Sequence, residues 1–441
     1  MSRMGITIAA LVLWGRPLQT GQTQDLRELL TAARGAPALL CALAADAVGN
    51  YGWKSRRTGA PVTPLGQLEQ RQAGDGERAH ASPEDVRLLL ESLSATDACV
   101  RELAVRLLGT QAGEAIVAGL LQRLSSTDST LRAVAAYGLG LVQPTTAVAP
   151  LVRAVRDASV GVRANATWAL GRIGDGRASA PATRALGDDS PLVREAAAGA
   201  LGQLDSSTAT PALIRVLRQD PVAEVRRTAA WALGQLETAQ AADALAQALR
   251  DDKDPAVREM SAWALGSIDT RSAAPALLVA ARGDSDEGVR ETSVWAVGQH
   301  GDQSAAGALG KLLLAEHSER VKATAAWALG QLDVRTAPEG LVAAVRDTDQ
   351  DVRLKAAWAL SEIGDGAAIP ALRAALEHEQ DAEVRKALVR GLIRSGERSE
   401  RLTELLESKD PRVREAAIRG IAGRSSADVW PWPEPRPRPF P

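Results

Sequence analysis

The chain is poor in the residues from which compact cores and most active sites are built. Its 441 residues include one Phe, two Tyr, three Met, four His and two Cys. Ala, Leu and Val carry the apolar share, which predicts thin, regular layers rather than one large core. His80, His300, His317 and His378 are scattered, and Cys41 and Cys99 have no CxxC spacing, so the patterns of a zinc site are missing. The cysteines read as small buried hydrophobes; a bond between them would go with export to an oxidising compartment. Charge of one sign is missing too: 52 Lys plus Arg stand against 54 Asp plus Glu, which speaks against a general nucleic-acid binder. There is no H-E-x-x-H, P-loop, G-x-S-x-G or dinucleotide fingerprint. No catalytic residue, metal ligand or cofactor site is therefore predicted, and the protein reads as a non-enzyme.

The apolar run Met4 to Trp14 has 11 residues, too few for a membrane-spanning helix, which needs about 20. Arg3 before it and "GRPLQTGQTQ" after it give residues 1–24 the layout of a secretory signal, although no A-x-A-like pair follows. Export to the periplasm or the exterior is the expectation. The alternative is the hydrophobic first helix of a cytoplasmic protein.

What the chain does have is a repeat. Aligning on the basic residue that opens each "VR…ALG" block gives Arg101, Arg132, Arg163, Arg194, Arg226, Arg258, Arg290, Lys322, Arg353, Arg385 and Arg414. The intervals are 31, 31, 31, 32, 32, 32, 32, 31, 32 and 29 residues. Each unit holds two helical segments. The second opens on a capping residue followed by proline, as in Ser190-Pro191, Asp220-Pro221, Asp254-Pro255 and Asp410-Pro411. The first is shorter and carries proline near its opening turn, at Pro150, Pro181, Pro211, Pro275 and Pro370, where the amides lack an intrahelical acceptor anyway. Helical hairpins with short connections predict an all-α fold, an α-solenoid of about eleven repeats.

These units resemble HEAT repeats, most closely the short bacterial class of phycobilisome-lyase HEAT-like repeats, over about residues 83–424. Outside that span, 25–50 reads as a further helical pair and 51–82, rich in Gly, Pro and Gln, as a flexible linker. Residues 425–441 form a tail with proline at every second position from Pro431 to Pro441, which predicts an extended conformation.

Five residues after the aligned basic residue stand Tyr137, Trp168, Trp231, Trp263, Trp295, Trp327 and Trp358; Arg106, Gly199, Arg390 and Arg419 are the exceptions. On a helical wheel, Trp231 falls about 150° from the centre of the apolar side formed by Val225, Ala229, Ala232, Leu233 and Leu236, away from the partner helix of its own repeat. The family resemblance implies that this offset faces a concave groove. Two readings stay open. In one, each indole lies over small residues of the next repeat and the row is a structural staple. In the other, the row is at least half open and binds a partner, since soluble proteins rarely keep a long apolar surface bare. The binding reading names the seven aromatic residues together with Arg227, Glu259 and Glu291; Met260 lies beside them, and their mixed charge names no ligand. For the aligned basic residues, an ion-pair ladder between repeats is expected, with acids four to six residues upstream such as Asp220, Asp254, Asp286 and Asp349.

The functional expectation is a non-catalytic scaffold that binds a protein or extended peptide along the Trp row, with neither nucleic acid nor a cofactor involved. The segment from Trp430 to Pro441 is a candidate occupant, in cis or from a neighbouring molecule; the alternative is a tail without structure. A second expectation, from another class, is an accessory or lyase-like subunit holding a pigment or planar cofactor. The HEAT-like enzyme deoxyhypusine hydroxylase needs paired His-Glu motifs, of which this chain has His378-Glu379 alone. His300 stands where Leu236 stands in its own repeat and reads as a partly buried core histidine.

Overall fold

The computed structural model describes residues 23–49, 81–111, 113–268, 273–397, 405, 407–409 and 411–421. The signal-like stretch up to residue 22, residues 51–80 of the linker and the proline-rich tail lie outside the described residues. The chain divides into two compact units, residues 1–236 and 237–441.

The first unit opens with the hairpin Thr23–Ala32 and Ala38–Gly49. Five repeats follow. Their first helices are Pro83–Ser92, Glu114–Leu124, Val148–Ala154, Ser179–Ala185 and Thr210–Gln219, and their second helices Ala98–Gly109, Ser129–Val142, Val160–Ile173, Pro191–Gln203 and Ala223–Gln235. The second unit pairs Ala242–Asp251, Ala274–Gly283, Ala306–Ala315, Glu339–Ala344 and Ile369–His378 with Pro255–Ser267, Glu287–His300, Glu319–Gln331, Gln350–Ile363 and Ala382–Arg394, and closes on Pro411–Ile421. The protein is an α-solenoid. None of the helices described is long and apolar enough to cross a membrane.

Within each unit every second helix packs closely on the second helix before and after it, whereas successive first helices barely meet. The cause lies in composition. The second helices bury Ala and Gly at their mutual contacts, so their axes approach closely, while a Leu or Val from each helix fills the hairpin core, as Leu213, Val225 and Leu233 do at 0% exposure. Several first helices are short, and several begin with a 3-10 turn such as Thr145–Ala147 or Gly176–Ala178. Proline sits within the first three positions of Val148–Ala154, Ser179–Ala185, Thr210–Gln219, Ala274–Gly283 and Ile369–His378, as expected.

Two acidic positions that sequence spacing merged have separate jobs. Four residues before the aligned basic residue is the helix cap: the side chains of Asp254, Asp286 and Asp349 accept from the backbone N–H of Ala256, Val289 and Val352. Six residues before it is the ladder. Arg132 donates to both oxygens of Asp157 at 2.8 Å, Arg163 to Asp188 at 2.8 and 2.9 Å, Arg194 to Asp220 at 2.7 and 3.0 Å, and Arg258 to Asp284 at 2.8 Å. Arg290 with Glu316, Lys322 with Asp347 and Arg353 with Glu379 continue it. Each link joins one repeat to the next, and the same guanidinium also holds its own connection, as Arg194 does through the carbonyls of Asp188 and Asp189. Of the expected acids, Asp254, Asp286 and Asp349 are therefore caps, and Asp220 is the ladder member. For that reason Asp220-Pro221 does not open a helix: the Asp220 carboxylate is held by Arg194 and by the N–H of Val222, and the helix starts at Ala223. Asp410 lies outside the described residues.

Cys41 and Cys99 are joined by a disulfide with Cα atoms 5.6 Å apart, which corrects their reading as inert hydrophobes. The bond ties the amino-terminal hairpin to the first repeat. Asp97, which caps the helix Ala98–Gly109, also accepts from the N–H of Gly35 at 2.8 Å, and Leu29, Leu30 and Ala33 are buried.

Candidate functional site

The motif "AWALG" supplies a Trp and, three residues on, a Gly. The structure places the Gly of one repeat under the Trp of the following one. A Cβ added to Gly140 would lie 2.4 Å from the Trp168 ring, and the corresponding distances are 2.7 Å for Gly202 and Trp231, 2.9 Å for Gly266 and Trp295, 2.8 Å for Gly298 and Trp327, and 2.5 Å for Gly330 and Trp358. Such contacts admit no side chain, so glycine is required by the approach of the neighbouring helix. The helix cost of glycine, about 1 kcal/mol, is offset by the covered indole.

The consequence is burial. Trp168, Trp231, Trp295 and Trp327 keep 5%, 6%, 8% and 7% of their surface. An aromatic row that is at least half open is thus not what these four residues form, because each ring is sandwiched between consecutive second helices. Each indole lies over the preceding repeat rather than the next one. Trp263, Trp358 and Tyr137 are half-buried. The Tyr137 ring meets that of Trp168 at 5.1 Å between centroids, and the Arg172 guanidinium lies 5.9 Å over the Trp168 ring. The glycine partner was a legible signal that spacing alone missed: where the last repeats lose the Trp, at Arg390, the residue one repeat earlier is Ser361 instead of Gly.

The polar neighbours behave differently. They lie one residue after the aligned basic residue, where Glu195, Arg227, Glu259 and Glu291 follow one another. In the first unit Glu195 keeps 5% of its surface and burial pushes its carboxyl up, with Arg227 opposing the shift. In the second unit Glu259 is half-buried, and burial, helped by the charges of Asp286 and Glu291 and opposed by the Thr292 hydroxyl donating at 3.3 Å and by the charge of Arg320, pushes its carboxyl up to about 6. Glu291 is buried and also pushed up by burial, with Arg320 the main counterweight. Arg320 and the Thr324 hydroxyl donate to its two oxygens. Among the described residues no ion pair reaches Glu259. Met260, beside it, is fully buried and belongs to the core. The structure thus brings Glu259 and Glu291 together with Arg320 on the second-helix face and takes most of the indoles out of it.

Elsewhere, His300 is half-buried and its Nε2 lies 2.9 Å from the Leu265 carbonyl, so that nitrogen carries the proton. Glu379 beside His378 is occupied by Arg353. Among the described residues no group of three or more His, Cys, Asp and Glu is placed to hold a metal ion.

The family model for HEAT repeats matches at residues 117–191, 179–265, 242–330 and 308–393, more than half of the chain. The chain belongs to the HEAT-repeat family. This HEAT-repeat protein matches no curated protein sequence. Among solved structures it is similar to importin beta, at 14% identity and a TM-score of 0.56 over 94% of this chain and 64% of that one. It is also similar to Kap95p in its complex with RanGDP, at 14% identity and a TM-score of 0.54 over 97% and 68%. Human deoxyhypusine hydroxylase matches at 25% identity over 56% of this chain and 96% of that one, with a TM-score of 0.27. The first two likenesses show the fold.

Proposed function

We propose that this HEAT-repeat protein is a non-catalytic scaffold that binds a protein or an extended peptide along the exposed face of its second helices. The observation that carries the reading is Glu259: a half-buried carboxylate, raised by burial and reached by no ion pair among the described residues, on a face that the packing of repeats leaves without a covering layer. Burying a charge without a partner is costly, so its retention fits a surface completed by another molecule. Family membership supports the same reading. So does the likeness to Kap95p, whose structure holds a protein partner. Where the sequence reading put the aromatic row at the centre of the site, we place the acidic pair with half-buried Trp263 and Trp358 at its edge.

We further propose export, supported by the Cys41–Cys99 bond, since disulfides persist in oxidising compartments. The scaffold is tested with a photo-crosslinking residue placed at Glu287 or Lys355 on the second helices, and at Val279 or Leu314, exposed on the first helices. In an extract of the native cells, adducts with another protein should come from the first pair of sites. Adducts confined to Val279 and Leu314 would move the interaction to the opposite layer and end the reading.

A further inference from the structure

Resting on the scaffold reading, we infer that the second-helix face of the 237–441 unit is the docking site of the chain's own carboxyl-terminal segment, an arginine of which pairs with Glu259. Of the two neighbouring acids, Glu291 has both oxygens engaged, by Arg320 and Thr324, whereas Glu259 accepts one hydrogen bond, from Thr292. The approach to Glu259 is kept free of a side chain by Gly288, where an added Cβ would stand 3.3 Å from the Glu259 carboxylate. A guanidinium entering there meets a carboxylate outside the ion pairs of the described residues, since the neighbouring Arg320 is paired with Glu291. Half-buried Trp263 lies one turn further along the same helix.

The segment "WPWPEPRPRPFP" carries the matching charge at Arg436 and Arg438. It also has the reach. Glu259 lies five repeats before the helix Pro411–Ile421, about 40–50 Å at a spacing of about 8–10 Å per helix. Arg436 follows Ile421 by 15 residues, a length of chain that can reach about 50 Å at most. Alternating prolines remove every second N–H, so recognition falls to side chains, and the conformational freedom lost on docking is small.

The test uses the full chain with nitroxides on Val279→Cys and Phe440→Cys; both natural cysteines are held in their disulfide and do not take label. Pulsed dipolar spectroscopy should give a narrow, short distance component, lost in Glu259→Gln and in the double variant Arg436→Gln, Arg438→Gln, while helical content stays unchanged. A single broad distribution in the chain without these charge changes overturns the inference, as does a narrow component that survives both variants. A narrow component that fades on dilution with unlabelled chain assigns the segment to a second copy and overturns the intramolecular form. If the component is absent while the photo-crosslinks to another protein remain, the segment assignment falls and the scaffold reading stands.

Discussion

At the scale of single residues, the recurring tryptophan is explained by a glycine 28 or 29 positions earlier in the chain, on the second helix of the preceding repeat. Gly298→Ala removes a helix-weakening residue, yet places a Cβ 2.8 Å from the Trp327 ring and 2.9 Å from the Ala328 Cβ. Overpacking of this kind costs about 1–3 kcal/mol, so the substitution should lower the urea midpoint, whereas Gly307→Ala, with nothing within 4 Å, should leave it level or raise it slightly. Glu259 makes a second prediction. Its folded-state carboxyl titrates near 6 against 4.5 for the free group, so ionising it opposes folding above pH 6, and that opposition is relieved as pH falls through about 6. With the tail arginines removed (Arg436→Gln, Arg438→Gln), Glu259→Gln should therefore stabilise the protein by about 1 kcal/mol at about pH 8, after allowance for the solvent reaching this half-buried group. The gain should fade towards pH 4.5, which denaturant titration across pH would follow.

At the scale of elements, the hairpins were legible because they carry their punctuation: caps, in many of them a proline near the first turn, and an apolar stripe at helical spacing. The ladder was legible as an idea and misread in detail. Its acid stands six residues before the arginine and the cap four, and only the fold shows that the first carboxylate turns towards the preceding repeat while the second turns back onto its own helix. The Arg132 hydrogen bonds hold Asp157 below its usual range, and Arg163 does the same for Asp188. Such depressed acids contribute stability above their unfolded pKa and lose it as pH falls through the folded one, a trend opposite to that of Glu259. Asp284→Asn should cost about 2–3 kcal/mol, because the Arg258 guanidinium is left partly buried and half satisfied. In a repeat protein the loss is carried locally, so hydrogen exchange should quicken around residues 252–300 and stay unchanged in the first unit.

At the scale of the whole molecule, stacking leaves two ends to be sealed. The amino-terminal hairpin covers the first repeat through a small set of Leu and Ala contacts, the Gly35 to Asp97 hydrogen bond and the disulfide across 58 residues. Closing a loop of that length lowers the entropy of the unfolded chain by an amount worth about 4 kcal/mol, a large part of what so few contacts supply. Replacing Cys41 and Cys99 by Ser should release residues 23–49 to rapid exchange while the later repeats keep their protection. An equally protected hairpin in that variant would show that packing alone holds it.

The sequence by itself determined the repeat, its helical hairpins, the α-solenoid and the side of the helix on which the tryptophans stand, because those properties are periodic along the chain. Tertiary structure decided what periodicity cannot express. How close two second helices approach depends on a glycine in one and an indole in the other, and that distance turned the expected open row into a packed ladder. Which of two nearby acids meets an arginine, whether two cysteines 58 residues apart meet each other, and which half-buried carboxylate stays outside the ion pairs of the described residues all depend on contacts between residues distant along the chain. Partners of that kind are set by where the helices lie in space, and a residue's own neighbours in the sequence do not reveal them.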